Sequence, residues 1–124
     1  MKSFLKPFIF LLVILSYFHA FSQNTNIKFN HITTKDGLSH SYVDCIVQDT
    51  KGFIWFGTED GLNRFDGYEL KSYFHDPSDS NSLSDNFIRS LYADSHGYIW
   101  VGTESHGLNV FNPKTESITR YMNK

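Results

Sequence analysis

One cysteine in 124 residues excludes an internal disulfide, so no cross-link staples this fold. That residue, Cys45, sits in the run YVDCIV (42–47), where a thiol reads as a small buried hydrophobe rather than a reactive group. A surplus of one charge is also missing. Eleven Lys and Arg stand against 13 Asp and Glu, giving a formal net charge of −2. That leaves no basic footprint for nucleic acid or for an anionic membrane surface. Long apolar runs are scarce: the main one, FIFLLVIL (8–15), is shorter than the roughly 20 residues of a spanning helix. After residue 23 no useful stretch carries apolar residues at a 3.6-residue period, which argues against a helical domain.

Motifs for chemistry are absent too. There is no GxxxxGK[ST] phosphate loop and no GxGxxG, so no nucleotide cofactor is expected. The six histidines are scattered, and none makes HExxH or another ligand spacing. His31, His75, His96 and His106 fall in or near turns and read as solvated polar residues. The stretch LSHS (38–41) lacks the acidic residue that follows a phosphoacceptor histidine, so His40 is not expected to be one. DPSDSNSLSD (76–85) hints at calcium, but counting from Asp79 puts Leu83 at a ligand position and Ser84 where glycine is needed. Glu59, Asp60 and Glu104 follow Gly-Thr at turns and read as solvated rather than as acid–base catalysts. No catalytic, metal or cofactor residue is therefore nominated.

The N-terminus is of a different kind. Lys2 and Lys6 lead into the apolar run, and Ala20 and Ser22 follow at the small-x-small spacing of a cleavage site. Residues 1–22 read as a secretory signal peptide, with no cysteine at the site for a lipid anchor. Removing them takes two lysines and no acid, so the net charge becomes −4.

What remains is rich in strand signals. Aromatics make up 17% of the chain, and such side chains fit pleated, half-buried surfaces. Short runs predict strands within 27–33, 41–49, 53–58, 62–65, 68–74, 87–94, 98–103, 108–111 and 117–122. Lys51-Gly52, Asp60-Gly61, Asp66-Gly67, His96-Gly97, His106-Gly107 and Asn112-Pro113 separate them. The order is that of antiparallel meanders of about four strands. The organisation expected is a signal peptide (1–22), a lead-in with an N-terminal strand (23–40), one four-strand unit (41–75), a polar loop (76–86) and a second unit (87–124).

The two units spell one motif twice. GFIWFGTEDGLNRFD (52–66) returns as GYIWVGTESHGLNVFN (97–112), about 45 residues later. Asp49, Gly52, Trp55, Gly57 and Thr58 match Asp94, Gly97, Trp100, Gly102 and Thr103. After one inserted residue, His106, a second group follows: Gly61, Leu62 and Phe65 match Gly107, Leu108 and Phe111. In FIWFGT, alternation sends Phe53, Trp55 and Gly57 to one face and Ile54, Phe56 and Thr58 to the other. Both faces are largely apolar, so the strand should be covered on both sides, as in sheets stacked on copies of themselves. The glycines before each apolar triplet should supply turns, and Gly57 and Gly102 should leave room beside the tryptophan rings. Both tryptophans are expected in the core rather than stacked on sugars.

On these residues the pattern Asp-x-x-Gly-aromatic-Ile-Trp-apolar-Gly-Thr-Glu, then Gly-Leu-Asn-x-Phe, resembles the two-component regulator propeller repeat. DGLSHSYVDCIVQD (36–49) and SNSLSDNFIRSLYAD (80–94) look like the stretches that open such repeats. The resemblance covers nearly all of 27–124. It implies an all-β fold of propeller blades, about two of them here, hence an incomplete propeller. It also implies a place in the periplasmic sensor of a hybrid two-component histidine kinase. Such a sensor would take a glycan-derived oligosaccharide as ligand, further blades of the same chain as neighbours and a homodimeric assembly. Kinase and membrane-spanning parts would lie outside these residues, so this stretch itself is expected to bind and not to catalyse. A stand-alone exported binding module or a propeller lyase are the alternatives. Ligand-contacting residues are not legible.

Overall fold

The computed structural model describes residues 2–17 and 26–122. The chain divides into two units, residues 1–30 and 31–124. In the first, helix α1 spans Lys2–Tyr17 and carries Pro7. Its 16 residues would reach about 24 Å at the α-helical rise, short of the roughly 30 Å of a bilayer core. No helix among the described residues is long and apolar enough to cross a membrane. The proposed cleavage motif around Ala20 and Ser22 lies outside the described residues.

The second unit is all-β. Strands β1 (Val43–Gln48), β2 (Ile54–Thr58), β3 (Gly61–Phe65) and β4 (Leu70–Tyr73) pair antiparallel in sequence order. Strands β5 (Ile88–Ala93), β6 (Ile99–Thr103), β7 (Leu108–Asn112) and β8 (Ser117–Tyr121) repeat that order in a second sheet. The correspondence extends to register. Trp55 lies between Val47 and Arg64, and Trp100 between Tyr92 and Val110. A bulge interrupts β1 between Val43 and Cys45 and recurs in β5 between Ile88 and Ser90. The β1–β2 and β5–β6 connections need a left-handed residue, which Gly52 (φ 90°) and Gly97 (φ 91°) supply without a Cβ penalty.

The core is a layer between the two sheets. Sheet one contributes Trp55 and Leu62, and the second repeat contributes Leu83, Ile88, Ile99, Val101, Phe111 and Ile118. The Trp55 ring meets Phe111 edge-on at 5.1 Å and stacks on Tyr73 at 6.0 Å. The tryptophan face of one blade thus packs on the Ile–Val–Phe face of the next.

Three expectations need correction. Residues 26–33 form no strand; a strand needs a ladder partner, and the segment joins neither sheet. It leads instead into a 3₁₀ turn, Thr34–Asp36. There Thr33 and Asp36 cap each other: the Thr33 hydroxyl accepts from the Lys35 N–H, and Asp36 accepts from the Thr33 N–H at 2.8 Å. Next, Trp100 is not in the core. It is 36% exposed, whereas Trp55 is fully buried, because no further sheet stands over its face among the described residues. In the same way Ile54 and Phe56 are only half-buried on the opposite side of the pair. Finally, Gly57 makes room for Cys45 on the adjacent strand and for Ile88 of the next blade rather than for the tryptophan. A Cβ there would sit 2.5 Å from Cys45 Sγ and 2.6 Å from Ile88 Cγ2.

Candidate functional site

The repeated residues fall at the two ends of each blade. At the β1–β2 end, Asp49 accepts three N–H groups: Lys51 N at 2.9 Å, Phe53 N at 3.0 Å and the Trp55 indole at 2.9 Å. Asp94 does the same with His96 N, Tyr98 N and the Trp100 indole, each at 2.9 Å. One carboxylate therefore fixes both the turn and the tryptophan orientation. The Trp100 indole bond, first among its causes, holds the Asp94 carboxyl below the usual range.

At the other end, the Thr58 hydroxyl donates to Gly61 O at 2.9 Å and accepts from Asp60 N at 3.1 Å. Thr103 repeats this with Gly107 O (2.9 Å) and His106 N (3.2 Å), so the inserted histidine is absorbed in the turn. Beside it lies a polar latch that the sequence reading missed. Buried Asn63 accepts from Ser39 N at 3.0 Å and donates to Ser39 Oγ at 2.7 Å. Buried Asn109 holds Ser84 alike, at 3.0 and 2.9 Å. Each latch ties the segment entering a blade to its third strand. The signal was present: Leu-Ser recurs at 38–39 and 83–84 with the spacing of the rest of the motif.

The polar loop before β5 is ordered by Arg120 of β8. Its guanidinium donates to Ser82 O and Asp79 O at 2.8 Å and to Leu83 O at 3.1 Å. Asp76 and Asp79 accept N–H groups of Ser78 and Asn81, both at 2.9 Å. An arginine thus fills the loop that resembled a calcium site. His75 is half-buried rather than solvated, with Nδ1 2.6 Å from Leu83 O. Among the described residues no three His, Cys, Asp or Glu could hold a metal. Cys45 is half-buried, and burial pushes its thiol up, away from the thiolate that a nucleophile needs.

Two charged clusters cross between blades. Glu116, at φ 55° in the β7–β8 turn, accepts from Lys71 Nζ at 2.7 and 2.8 Å and from Tyr73 Oη at 3.1 Å, with Arg64 3.8 Å away. Lys71 first and Tyr73 second hold its carboxyl below the usual range. Arg89 of β5 pairs with Glu104 and reaches Asp44 of β1 at 3.3 Å.

One cleft of about 190 Å³ opens between the blades at the Asp–Trp end. Its walls include Thr50, Lys51, Ser95, His96 and Lys114. Lys51 and Lys114 have no ion-pair partner among the described residues. The cleft offers two free ammonium groups, an imidazole and two hydroxyls, a set that can hydrogen-bond a polar or anionic ligand. Among the described residues no hydrogen bond joins the His96 imidazole to either hydroxyl.

With this geometry in view, the comparisons with known proteins are specific. Residues 37–60 and 82–105 match the family described as Two component regulator propeller. Histidine kinase P4 of Formosa agariphila is 51% identical over 73 residues, which are 56% of this chain and 5% of that protein. Among solved structures, the extracellular domain assigned to the hybrid two-component system BT3049 from B. thetaiotaomicron aligns with a TM-score of 0.68 and 38% identity. That match covers 74% of this chain and 13% of the other. The corresponding domain of BT4673 from the same organism aligns with a TM-score of 0.55 and 25% identity, covering 76% and 14%. The chain spans a small fraction of each of these relatives.

Proposed function

Since the chain carries two repeats of the two-component regulator propeller family, we propose that it is part of the exported ligand-sensing propeller of a hybrid two-component histidine kinase, and that the ligand is a glycan-derived oligosaccharide. The observation that carries this is the joint match of repeat and fold. Two blades with the family's motif superpose on extracellular domains of hybrid two-component systems, and a histidine kinase shares half of 73 residues. Export is supported by the basic, apolar and small-residue layout of residues 1–22. On this reading the segment binds and transmits, and phosphotransfer belongs to other parts of the product. The interblade cleft is the contact point we assign to the sugar. Thr50 and Ser95 suit its hydroxyls, and Lys51 and Lys114 an acidic substituent.

The test is calorimetric titration of the product carrying these repeats with size-fractionated oligosaccharides, run beside a reporter of ligand-induced transcription in the source cells. Binding that Lys51→Ala with Lys114→Ala weakens at least tenfold, with parallel loss of the reporter response, is the expected result. Turnover of a polysaccharide by the purified repeats would replace the sensor with an enzyme. Unchanged binding in the double variant would move the ligand elsewhere in the domain.

A further inference from the structure

The three turns that border the interblade cleft are built alike. In each, an Asp or Asn side chain accepts the N–H two residues on: Asp49 from Lys51 at 2.9 Å, Asp94 from His96 at 2.9 Å and Asn112 from Lys114 at 3.0 Å. The residue held in this way is Lys51, His96 or Lys114, and all three line one cleft. Lys51 and His96 stand at the same position of the repeat, while Lys114 comes from the β7–β8 turn. That turn is itself tied to the other blade, since Glu116 accepts from Lys71 and Tyr73 of β4. The backbone thus fixes where each of these side chains begins.

The turn backbones are satisfied, and the side chains are not. Among the described residues, neither ammonium group, nor the His96 ring, nor the hydroxyls of Thr50 and Ser95 has a hydrogen-bond or ion-pair partner. All of them can donate, and the ammonium groups can only donate. Asp49 is the one carboxylate on the cleft wall among the described residues. Both of its oxygens are taken, by the Lys51 and Phe53 N–H groups and by the Trp55 indole. What remains is a donor-rich, positively charged wall around a space of about 190 Å³. That is below the roughly 300 Å³ at the small end of ligand pockets, so it suits one sugar unit with its substituent rather than a whole oligosaccharide.

We propose that this cleft is a charge-selecting subsite: it holds one anionic substituent of the sugar, a sulfate ester or a carboxylate, between Lys51 of one blade and His96 and Lys114 of the next. The sugar is taken from the sensor reading, on which this subsite rests; the preference for charge comes from the cleft itself. One exposed ion pair contributes little, so the selectivity comes from two ammonium groups converging on a single charge, with the imidazole and hydroxyls completing its hydrogen bonds. A neutral sugar leaves both ammonium groups in water and gains nothing from them. Since the groups face solvent, the preference should weaken as salt rises.

The test is calorimetric titration of the product carrying these repeats with matched sugars: glucuronate against glucose, and galactose sulfate against galactose. Inorganic sulfate is titrated beside them. The variants are Lys51→Gln with Lys114→Gln, and Lys35→Gln as a control for net charge away from the cleft. All three lysines are exposed, so the fold should be kept, which far-UV circular dichroism checks. At least one charged sugar should bind about tenfold or more tightly than its neutral partner, and the pair that shows this tells sulfate from carboxylate. The preference should shrink from about 0.01 M to about 1 M salt, as the screening length falls from roughly 30 to 3 Å. It should vanish in the double variant and persist in Lys35→Gln. Equal binding within both pairs, no binding by any of the four sugars, or a preference that survives the double variant would overturn the subsite. So would inorganic sulfate binding as tightly as the charged sugars, which would mean a bare anion site. The sensor reading fails separately: a charge preference lost in the double variant, with no transcriptional response to any oligosaccharide, would retain the subsite and remove the sensor.

Discussion

The same tryptophan occurs twice in one motif, in two environments, and its removal should therefore cost two different amounts. Trp55 is fully buried, and its ring rests on Phe111 and Tyr73. Truncation to alanine removes a ring of roughly 200 Å² from the interblade layer, on the order of 5 kcal/mol at 25 cal/mol per Å². Partial collapse of the site reduces that. Stripping Asp49 of its indole donor acts the other way, since Asp49 is itself buried. The net expectation for Trp55→Ala is a loss of about 3–5 kcal/mol, in the range measured for buried aromatics. Trp100→Ala removes a ring already open to water on one side, and Asp94 can take a water in its place. About 1–2 kcal/mol is expected there. Urea unfolding of the chain, followed by circular dichroism, measures both. Each variant also retains a single tryptophan, so fluorescence reports the surviving environment separately. Equal losses, or a larger loss for Trp100→Ala, would refute the assignment of Trp55 to the layer between blades and of Trp100 to an uncovered face.

Two further outcomes follow from the contacts between blades. Gly57→Ala should destabilise by about 1–3 kcal/mol through overpacking against Cys45 Sγ and Ile88 Cγ2, and Cys45→Ala should recover part of that loss in the same urea measurement. Glu116 has its carboxyl held low by Lys71 and then Tyr73, so its contribution is present above the unfolded value of about 4.3 and is lost as pH falls through the folded one. Glu116→Gln should accordingly lower stability at neutral pH and flatten the acid limb of a melting-temperature profile. An unchanged acid limb would mean that the Lys71–Glu116 contact does not persist in solution.

The architecture was readable because a stacked blade makes the same demands each time. A turn glycine must recur where φ is near 90°, as Gly52 and Gly97 do, and an acceptor must recur beneath the indole, as Asp49 and Asp94 do. Period and alternation then placed all eight strands of the two sheets. Two kinds of information were out of reach. Asn63 and Asn109 stand in Gly-Leu-Asn, beside a turn, where a polar residue normally faces water. Their burial depends on Ser39 and Ser84, 24 and 25 residues upstream; the recurrence of Leu-Ser marks those serines as part of the repeat, but not which residue they cover. The cleft was hidden for a similar reason, since Lys51, His96 and Lys114 come from three turns that only the stacking of sheets brings together.

The harder lesson lies in segments whose local sequence was read correctly and whose state still differed. Residues 27–33 have the composition of a strand and form none, because a strand is a relation between two segments and none of the described residues pairs with this one. Trp55 and Trp100 share motif, register and an indole hydrogen bond to an aspartate, yet one is sealed and the other open. In both cases the sequence states what a surface can pair with, and the surroundings decide whether it does. A propeller repeat is therefore a statement about two faces at once, each written to receive its counterpart. Among the described residues the Trp100 face and the Ile46–Phe56 face carry the side-chain types of the two sides of the internal layer, one aromatic and one aliphatic–aromatic, without a sheet over either.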